Sequence, residues 1–226
     1  MKKICVLTGA GISAESGVKT FRDEDGLWEN HEITEVATPE AFLRNPELVL
    51  DFYNQRRRQL MGVKPNAAHT ALVDLEKKYE VHIVTQNVDD LHERAGSSSV
   101  LHLHGELTKS RSSKNDQLIY DQKEDLYLGD LCEKNSQLRP HIVWFGEAVP
   151  EMENAISLVF EADIIIIIGT SMQVYPAAGL IDFKKDNAPV YFIDPKPTIQ
   201  STDTIELISE KASQGVQKLV DKLLSS

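Results

Sequence analysis

Residues 4–14 run Ile4-Cys5-Val6-Leu7-Thr8-Gly9-Ala10-Gly11-Ile12-Ser13-Ala14, an apolar β-type stretch that passes through Gly-x-Gly into a helix start. A strand, a glycine turn and a helix N-terminus in that order bring backbone N–H groups up to a pyrophosphate with no side chain in the way. The third glycine of the dinucleotide fingerprint falls at position 14, where Ala14 stands, a replacement the fingerprint tolerates. Gly-Ala-Gly after a strand also serves as a plain turn, so the motif by itself leaves both readings open. Further short β-branched runs lie at 81–84, 142–145, 164–168 and 190–193. Unbroken apolar runs of this length suit a parallel sheet covered on both faces. Between them stand helical patterns over 67–78, with Ala68, Ala71, Leu72 and Leu75 apolar, and over 213–224, with Val216, Leu219, Val220 and Leu223 on one stripe. Strands alternating with helices predict an α/β fold, a Rossmann-like doubly wound parallel sheet.

The chain has 226 residues, of which 41% are hydrophobic and 26% charged, so it is neither disordered nor fibrous. That length suits one large domain or a domain with insertions. Lys and Arg number 24 against 35 Asp and Glu, a net charge of −11. This acidity argues against a nucleic-acid partner, which requires a basic face. Cys5 and Cys132 are the only cysteines and supply no disulfide framework, which points to a reducing compartment. The apolar run after Lys2-Lys3 is shorter than the roughly 7–15 residues of a signal peptide. The longest apolar stretch, Ile164 to Ile168, is far below the roughly 20 residues that cross a bilayer. The expectation is a cytoplasmic protein without membrane contact. Two polar stretches interrupt the α/β rhythm, and they predict a small second lobe made of two insertions, 29–65 and 108–138. The remaining segments, 1–28, 66–107 and 139–226, form the expected dinucleotide-binding domain.

Five blocks carry a resemblance. Gly9-Ala10-Gly11-Ile12-Ser13-Ala14-Glu15-Ser16-Gly17 followed by Thr20-Phe21-Arg22 resembles the opening signature of the sirtuins, the NAD-dependent protein-lysine deacylases. Thr85-Gln86-Asn87-Val88-Asp89-Asp90-Leu91-His92, His102-Leu103-His104-Gly105-Glu106, Val143-Trp144-Phe145-Gly146-Glu147 and Gly169-Thr170-Ser171 are similar to the next four, in the family's order. The resemblance implies that the acyl oxygen of a modified lysine attacks the nicotinamide ribose of NAD. Nicotinamide leaves, an imidate links ribose to the acyl group, and the acyl group ends on ADP-ribose. It also implies acylated-lysine proteins as substrates; the expectation for assembly is a monomer. NAD hydrolysis or ADP-ribosyl transfer shares the first chemical step, and a non-catalytic NAD-sensing module is the reading from another class.

By resemblance His104 is the general base, and an imidazole with a pKa near 6.5 accepts a proton at neutral pH. His102, two residues away, shares a strand face with it; the pair could instead bind a metal, but no third ligand stands at metal spacing. Asn87 joins His104 as a catalytic residue, with Gln86 and Asn87 bonding the ribose and a water. Asp89 grips the carboxamide and Val88 adds backbone contact, while Asp90 reads as a helix cap. The opening block assigns Gly9, Ala10, Gly11, Ile12, Ser13, Glu15, Phe21 and Arg22 to the cofactor. Gly169, Thr170 and Ser171 hold the adenosine half, with Ala212 on the adenine wall. Asp194 stands where the family usually has Asn, and a carboxylate there accepts from ribose hydroxyls while repelling a 2′-phosphate. Val143, Phe145, Gly146 and Glu147 bind the peptide as an added strand.

Tyr53 and Arg56 form Tyr-x-x-Arg, and positions i and i+3 of a helix face the same way. Sirtuins that prefer succinyl, malonyl or glutaryl lysine carry this pair, and a fixed guanidinium pairs with a distal carboxylate. Arg56-Arg57-Arg58 also reads as a solvated basic turn. Most sirtuins hold the small lobe with four zinc-binding cysteines, whereas 108–138 contains only Cys132, with Ser110, Ser112 and Ser113 where the first ligands belong. Hydroxyls do not replace thiolates on tetrahedral zinc, so no metal is expected. Packing by Leu118, Ile119, Tyr120, Leu126, Tyr127 and Leu131 is expected to hold the lobe instead.

Overall fold

A computed structural model describes residues 1–18, 27–28 and 31–225. In chain order the elements are β1 (Lys3–Thr8), α1 (Ala10–Ser13), β2 (Leu27–Trp28), β3 (His31–Glu32), α2 (Ile33–Val36), α3 (Pro39–Arg44), α4 (Pro46–Gly62), α5 (Ala67–Leu75), β4 (Glu80–Thr85), α6 (Leu91–Ala95) and β5 (Val100–His102). There follow β6 (Gly105–Ser112), β7 (Ile119–Asp121), β8 (Leu138–Ile142), α7 (Met152–Glu161), β9 (Ile164–Ile168), β10 (Val190–Ile193), β11 (Ile205–Ile208) and α8 (Ala212–Ser225). Six strands pair in parallel in the order β11-β10-β9-β1-β4-β5. The five isoleucines of β9 are fully apolar because both faces of this central strand are covered. Ile164, Ile166 and Ile168 meet the apolar stripes of α5 and α8, Leu72, Leu75, Val216 and Leu219 among them. Ile165 and Ile167 meet Ala155 and Val159 of α7 on the other face.

A second sheet is antiparallel, in the order β7-β6-β8. Its inner residues Leu107 and Ile142, with Leu126 and Trp144 from the adjoining loops, share one core with Val36, Phe42, Val49, Phe52 and Leu60 from α2, α3 and α4. Pro39 and Pro46 each open a helix at a first-turn position, where a missing N–H removes no bond. They are starts here, not interruptions.

Two expectations change, and two strands come in addition to those expected. The run 142–145 is not a strand of the parallel sheet: Ile142 ends β8, and the next residues form a loop. A four-residue apolar run serves a loop equally well when its side chains enter a separate core, as Trp144 does. The edge strands β5 and β11 are only half buried, so they carry no apolar run to read. In the small lobe, Leu126 is 1% exposed, but Ile119, Tyr127 and Leu131 are 44%, 61% and 50% exposed. Hydrogen bonds do what that packing was expected to do. Gln137 accepts from Gly129 N and donates to the Tyr127 and Leu138 carbonyls. Ser112 Oγ accepts from Lys114 N and Asn115 N. Asn54 of α4 bonds both the N–H and the C=O of Leu126.

Two histidines lie fully inside. His69 accepts from Asn66 N in the capping box that opens α5, and His92 Nε2 bonds Thr8 Oγ1 at 3.1 Å; their rings are 4.9 Å apart. Burial pushes the pKa of His69 down to about 4 and that of His92 well below the ordinary value. The unfolded chain therefore binds protons from about pH 6.5 downward while the folded chain does not, and stability falls on acidification. His104 and His141 shift the same way and His102 the opposite way. Each net lowered histidine removes about 1.4 kcal/mol per pH unit inside that window. Urea midpoints should fall between pH 7.5 and 5.5, above the carboxylate range, and His69→Gln should flatten the slope.

Candidate functional site

A cavity of about 820 Å³ lies at the carboxyl ends of the parallel strands, where open α/β sheets bind ligands. Gly9, Ala10 and Gly11 after β1, Gln86 to Asp89 after β4, Gly169 to Ser171 after β9 and Asp194 after β10 form one wall. Tyr53 and Arg56 of α4, Leu107 of β6 and the 142–147 loop form the other. Glu15, His104 and Ala212 also face it. Phe21 and Arg22 lie outside the described residues.

The glycines are needed, but for a different reason than the motif suggests. Gly11 N donates to Gly169 O at 2.8 Å, and Gly9 N donates to Ile168 O at 3.0 Å. A Cβ on Gly11 would sit 2.6 Å from Gly169 Cα, and one on Gly9 2.8 Å from Thr170 Cβ. Gly169 has φ +61, and a Cβ there would meet Ile12 N at 2.5 Å. What the missing side chains admit is the neighbouring loop. Ile12 is buried in the core below it and does not face the cavity.

Ser13 is also buried, as the centre of a polar cluster. Its Oγ donates to Asp89 Oδ2 at 2.9 Å and accepts from Asn87 Nδ2 at 3.2 Å; Asn87 Nδ2 also donates to Gly9 O. Asp89 Oδ1 accepts from Leu91 N at the start of α6, while Asp90 pairs with Arg94. Asp90 is the N-cap residue of α6 as expected, but its side chain makes no capping bond; the carboxylate that accepts from the first helical N–H is that of buried Asp89. Burial raises the pKa of Asp89 against the pull of the Ser13 and Leu91 bonds.

His104 Nδ1 bonds the Gln86 carbonyl at 3.0 Å. A carbonyl only accepts, so the proton sits on Nδ1 and Nε2 carries the lone pair. Burial lowers the His104 pKa, outweighing the Gln86 bond, so the ring is neutral near pH 7. His102 bonds Asn87 O through Nδ1 and Glu93 Oε1 through Nε2. Burial alone would lower its pKa, but Glu93 outweighs that and raises it. The two rings thus part company: His102 braces the 86–89 loop, and His104, beyond the end of β5, faces the cavity.

Glu15 accepts from Ser213 N and Oγ at 2.9 Å each, stapling the first loop to the start of α8. Gln86 Nε2 donates to Thr170 Oγ1 at 3.3 Å, joining the loops after β4 and β9 within one wall of the cavity. Asp194, 1% exposed, accepts from Lys196 N. Glu147 is an anchor more than a peptide contact: its carboxylate accepts from Arg139, Arg111 and Trp144 N. Burial would raise its pKa, but the Arg139 bond and the two guanidinium charges hold it low. Val143 and Gly146 line the cavity beside it, and Phe145 stands 45% exposed at the rim. Tyr53 Oη accepts from Trp144 Nε1 at 2.9 Å, a partner that the block carrying Trp144 did not advertise. Asn66, also unassigned in the sequence, donates to Ile12 O and Ser16 Oγ and ties α5 to the first loop. Among the described residues no group of three His, Cys, Asp or Glu side chains stands together to hold a metal. Nor is any helix there long and apolar enough to cross a membrane.

Residues 9–176 match the family model described as Sir2 family. An NAD-dependent protein deacylase of Helicobacter pylori is 59% identical over 225 residues, 99% of this chain and 98% of that protein. One of Bacteroides thetaiotaomicron is 53% identical over 231 residues, covering 99% of each. Among solved structures, a complex of a Sir2 homolog with NAD superposes with a TM-score of 0.85 at 39% identity, covering 99% of this chain and 90% of that one. A complex of Sir2 with a p53 peptide and NAD+ gives 0.80 at 30% identity, covering 99% and 94%.

Proposed function

This chain belongs to the Sir2 family and is an NAD-dependent protein deacylase, and from that premise we propose that it removes succinyl, malonyl or glutaryl groups from lysine in preference to acetyl. The observation that carries this reading is the presence of Tyr53 and Arg56 on the same cavity as His104. One turn apart on α4, they offer a phenol and a guanidinium to a distal carboxylate on the acyl chain. Weaker deacetylation accompanies this activity. The expected products are nicotinamide and O-acyl-ADP-ribose.

The donor set fits a dinucleotide. Asp194 accepts from adenosine ribose hydroxyls at one end, with Gly169 to Ser171 and Ala212 beside it. At the other end the Asp89 carboxyl, raised by burial, meets a carboxamide. Bound there, NAD supplies an electrophilic ribosyl carbon and a leaving group. Asn87, held by Ser13 and Gly9, keeps the floor of that end in place. His104 Nε2 takes the proton of a hydroxyl brought against it, and the Gln86 carbonyl steadies the imidazolium that forms. Val143 to Gly146 offer backbone to an extended peptide.

The same reading divides the chain into an NAD-binding unit of 1–28, 66–107 and 139–226 and a small lobe of 29–65 and 108–138, supported by the core that α2–α4 share with the small sheet. It makes the enzyme a cytoplasmic monomer, in keeping with two unpaired cysteines. The lobe holds no zinc: Ser112 accepts two backbone N–H groups where a thiolate would bind metal.

Arg56→Met should lower kcat/KM for a succinyl-lysine peptide by about 100-fold, the scale of a lost charge-assisted pair, while acetyl-lysine changes less than about threefold; equal losses would refute the acyl preference. The acid limb of kcat/KM should lie below pH 6.5, since the base must be neutral and its pKa is lowered. His104→Tyr should abolish turnover. Elemental analysis of the purified protein should find no stoichiometric zinc, and a chelator should leave activity unchanged.

A further inference from the structure

We infer that Glu93 is a positioning residue for the nicotinamide end of the site: it keeps His102 doubly protonated, and only in that form does His102 hold the Asn87 carbonyl. This rests on the placement of that end at Asn87 and Asp89 proposed above. His102 Nε2 meets Glu93 Oε1 at 2.8 Å, and its Nδ1 meets Asn87 O at 3.0 Å. A carbonyl only accepts, and so does an ionised carboxylate. Both ring nitrogens must therefore donate, which makes the ring an imidazolium. The His102 side chain is 8% exposed, so a partner lost there is not simply replaced by water.

The loop after β4 is held by three successive carbonyls. His104 Nδ1 donates to Gln86 O, His102 Nδ1 to Asn87 O and Leu107 N to Val88 O at 2.8 Å. His104 keeps its Nδ1 proton whether the ring is neutral or charged, and a backbone amide never gives its proton up. Of the three, only the His102 link is conditional. Once that ring loses a proton, one hydrogen is left for two acceptors. The carboxylate is the stronger acceptor, so the hydrogen stays on Nε2 and a bare Nδ1 lone pair faces the Asn87 carbonyl. Repulsion then replaces a bond at the residue whose side chain bonds Gly9 O and Ser13 Oγ. Burial opposes the charge on both groups of the pair, but each partner outweighs it: the pKa of His102 is raised and that of Glu93 lowered. The other titratable groups around them are Asp89 in the loop, His92 on α6, which burial keeps neutral, and Glu106 on β6, which is paired with Lys109 at 2.7 Å. The brace is therefore complete below the raised pKa of His102 and lost as pH climbs through it.

With an acetyl-lysine peptide as acyl donor, wild-type kcat/KM for NAD should drop about tenfold as pH climbs through the His102 pKa, the size of one lost hydrogen bond. Glu93→Gln should abolish that drop, because a carboxamide can donate to Nε2 and lets a neutral His102 keep its hydrogen on Nδ1. At neutral pH the same variant should stay within about twofold of wild type, and its acid limb, set by His104, should not move. A merely structural role for Glu93 would lower activity equally at every pH. A drop that survives in Glu93→Gln, or no drop in the wild type, would overturn the inference. Independently of turnover, the imidazole resonances of 15N-histidine-labelled enzyme, assigned with His102→Gln, report the protons directly. His102 should carry protons on both nitrogens at about pH 6.5 in the wild type and a single proton, on Nδ1, at about pH 8 in Glu93→Gln. A singly protonated ring in the wild type, or a proton on Nε2 in the variant, would overturn it. Asn87→Ala checks the placement and should cut kcat/KM for NAD by about tenfold or more. Should it not, the nicotinamide placement is wrong; should it do so while Glu93→Gln keeps the alkaline drop, this inference alone fails.

Discussion

The floor of the cavity depends on two backbones touching. Gly11 and Gly169 approach so closely that neither tolerates a Cβ, and their N–H···O bond closes the gap between the loops after β1 and β9. Dispersion and one hydrogen bond across such a contact are modest individually, but the contact sets where both loops can be. Glu15 then reaches α8, and Asn66 reaches the same loop from α5. A rigid floor of this kind lets the side chains above it be held in fixed directions without bulky support.

Those side chains are oriented by their neighbours more than by their own rotamers. Ser13 joins Asn87 to Asp89 inside the protein, so a hydroxyl that never reaches the cavity decides where two polar groups stand. His102 and His104 both bond carbonyls of the 86–87 segment, yet their pKa values move in opposite directions because only His102 has a carboxylate beside it. One imidazole leans toward the charged form and braces a loop; the other stays neutral with its lone pair toward the cavity.

The opposite wall follows a second polar logic. Glu147, gripped by two guanidinium groups, holds the Trp144 backbone, and Trp144 holds Tyr53. Arg57, 1% exposed, clamps α4 to the small sheet by donating to Leu107 O, and is itself held by Asn54 one turn earlier on the same helix. Together with the Asn54–Leu126 bonds, this places α4 and its Tyr53–Arg56 face against the small lobe. A lobe with exposed Tyr127 and Leu131 can be ordered this way because polar partners supply direction as well as energy.

Linear order was enough for the central strands, for the stripes of α5 and α8 and for the blocks that meet in the cavity, because two-sided burial and helical periodicity leave a local record in residue types. It was not enough for the loop at 143–147, since a short apolar run reads alike in a sheet and in a separate core. Nor could it separate His102 from His104, show that the Asp89 carboxylate bonds the first N–H of the helix that Asp90 caps, or show that Glu147 serves Trp144. Each of those depends on which partner lies within about 3 Å, and even partners two to eighteen residues apart are brought together by the fold and not by any periodic spacing. The chain by itself determined which chemical groups are available; only the tertiary structure decided which of them touch, because desolvation and hydrogen bonding act through space and leave no periodic trace in the order of residues.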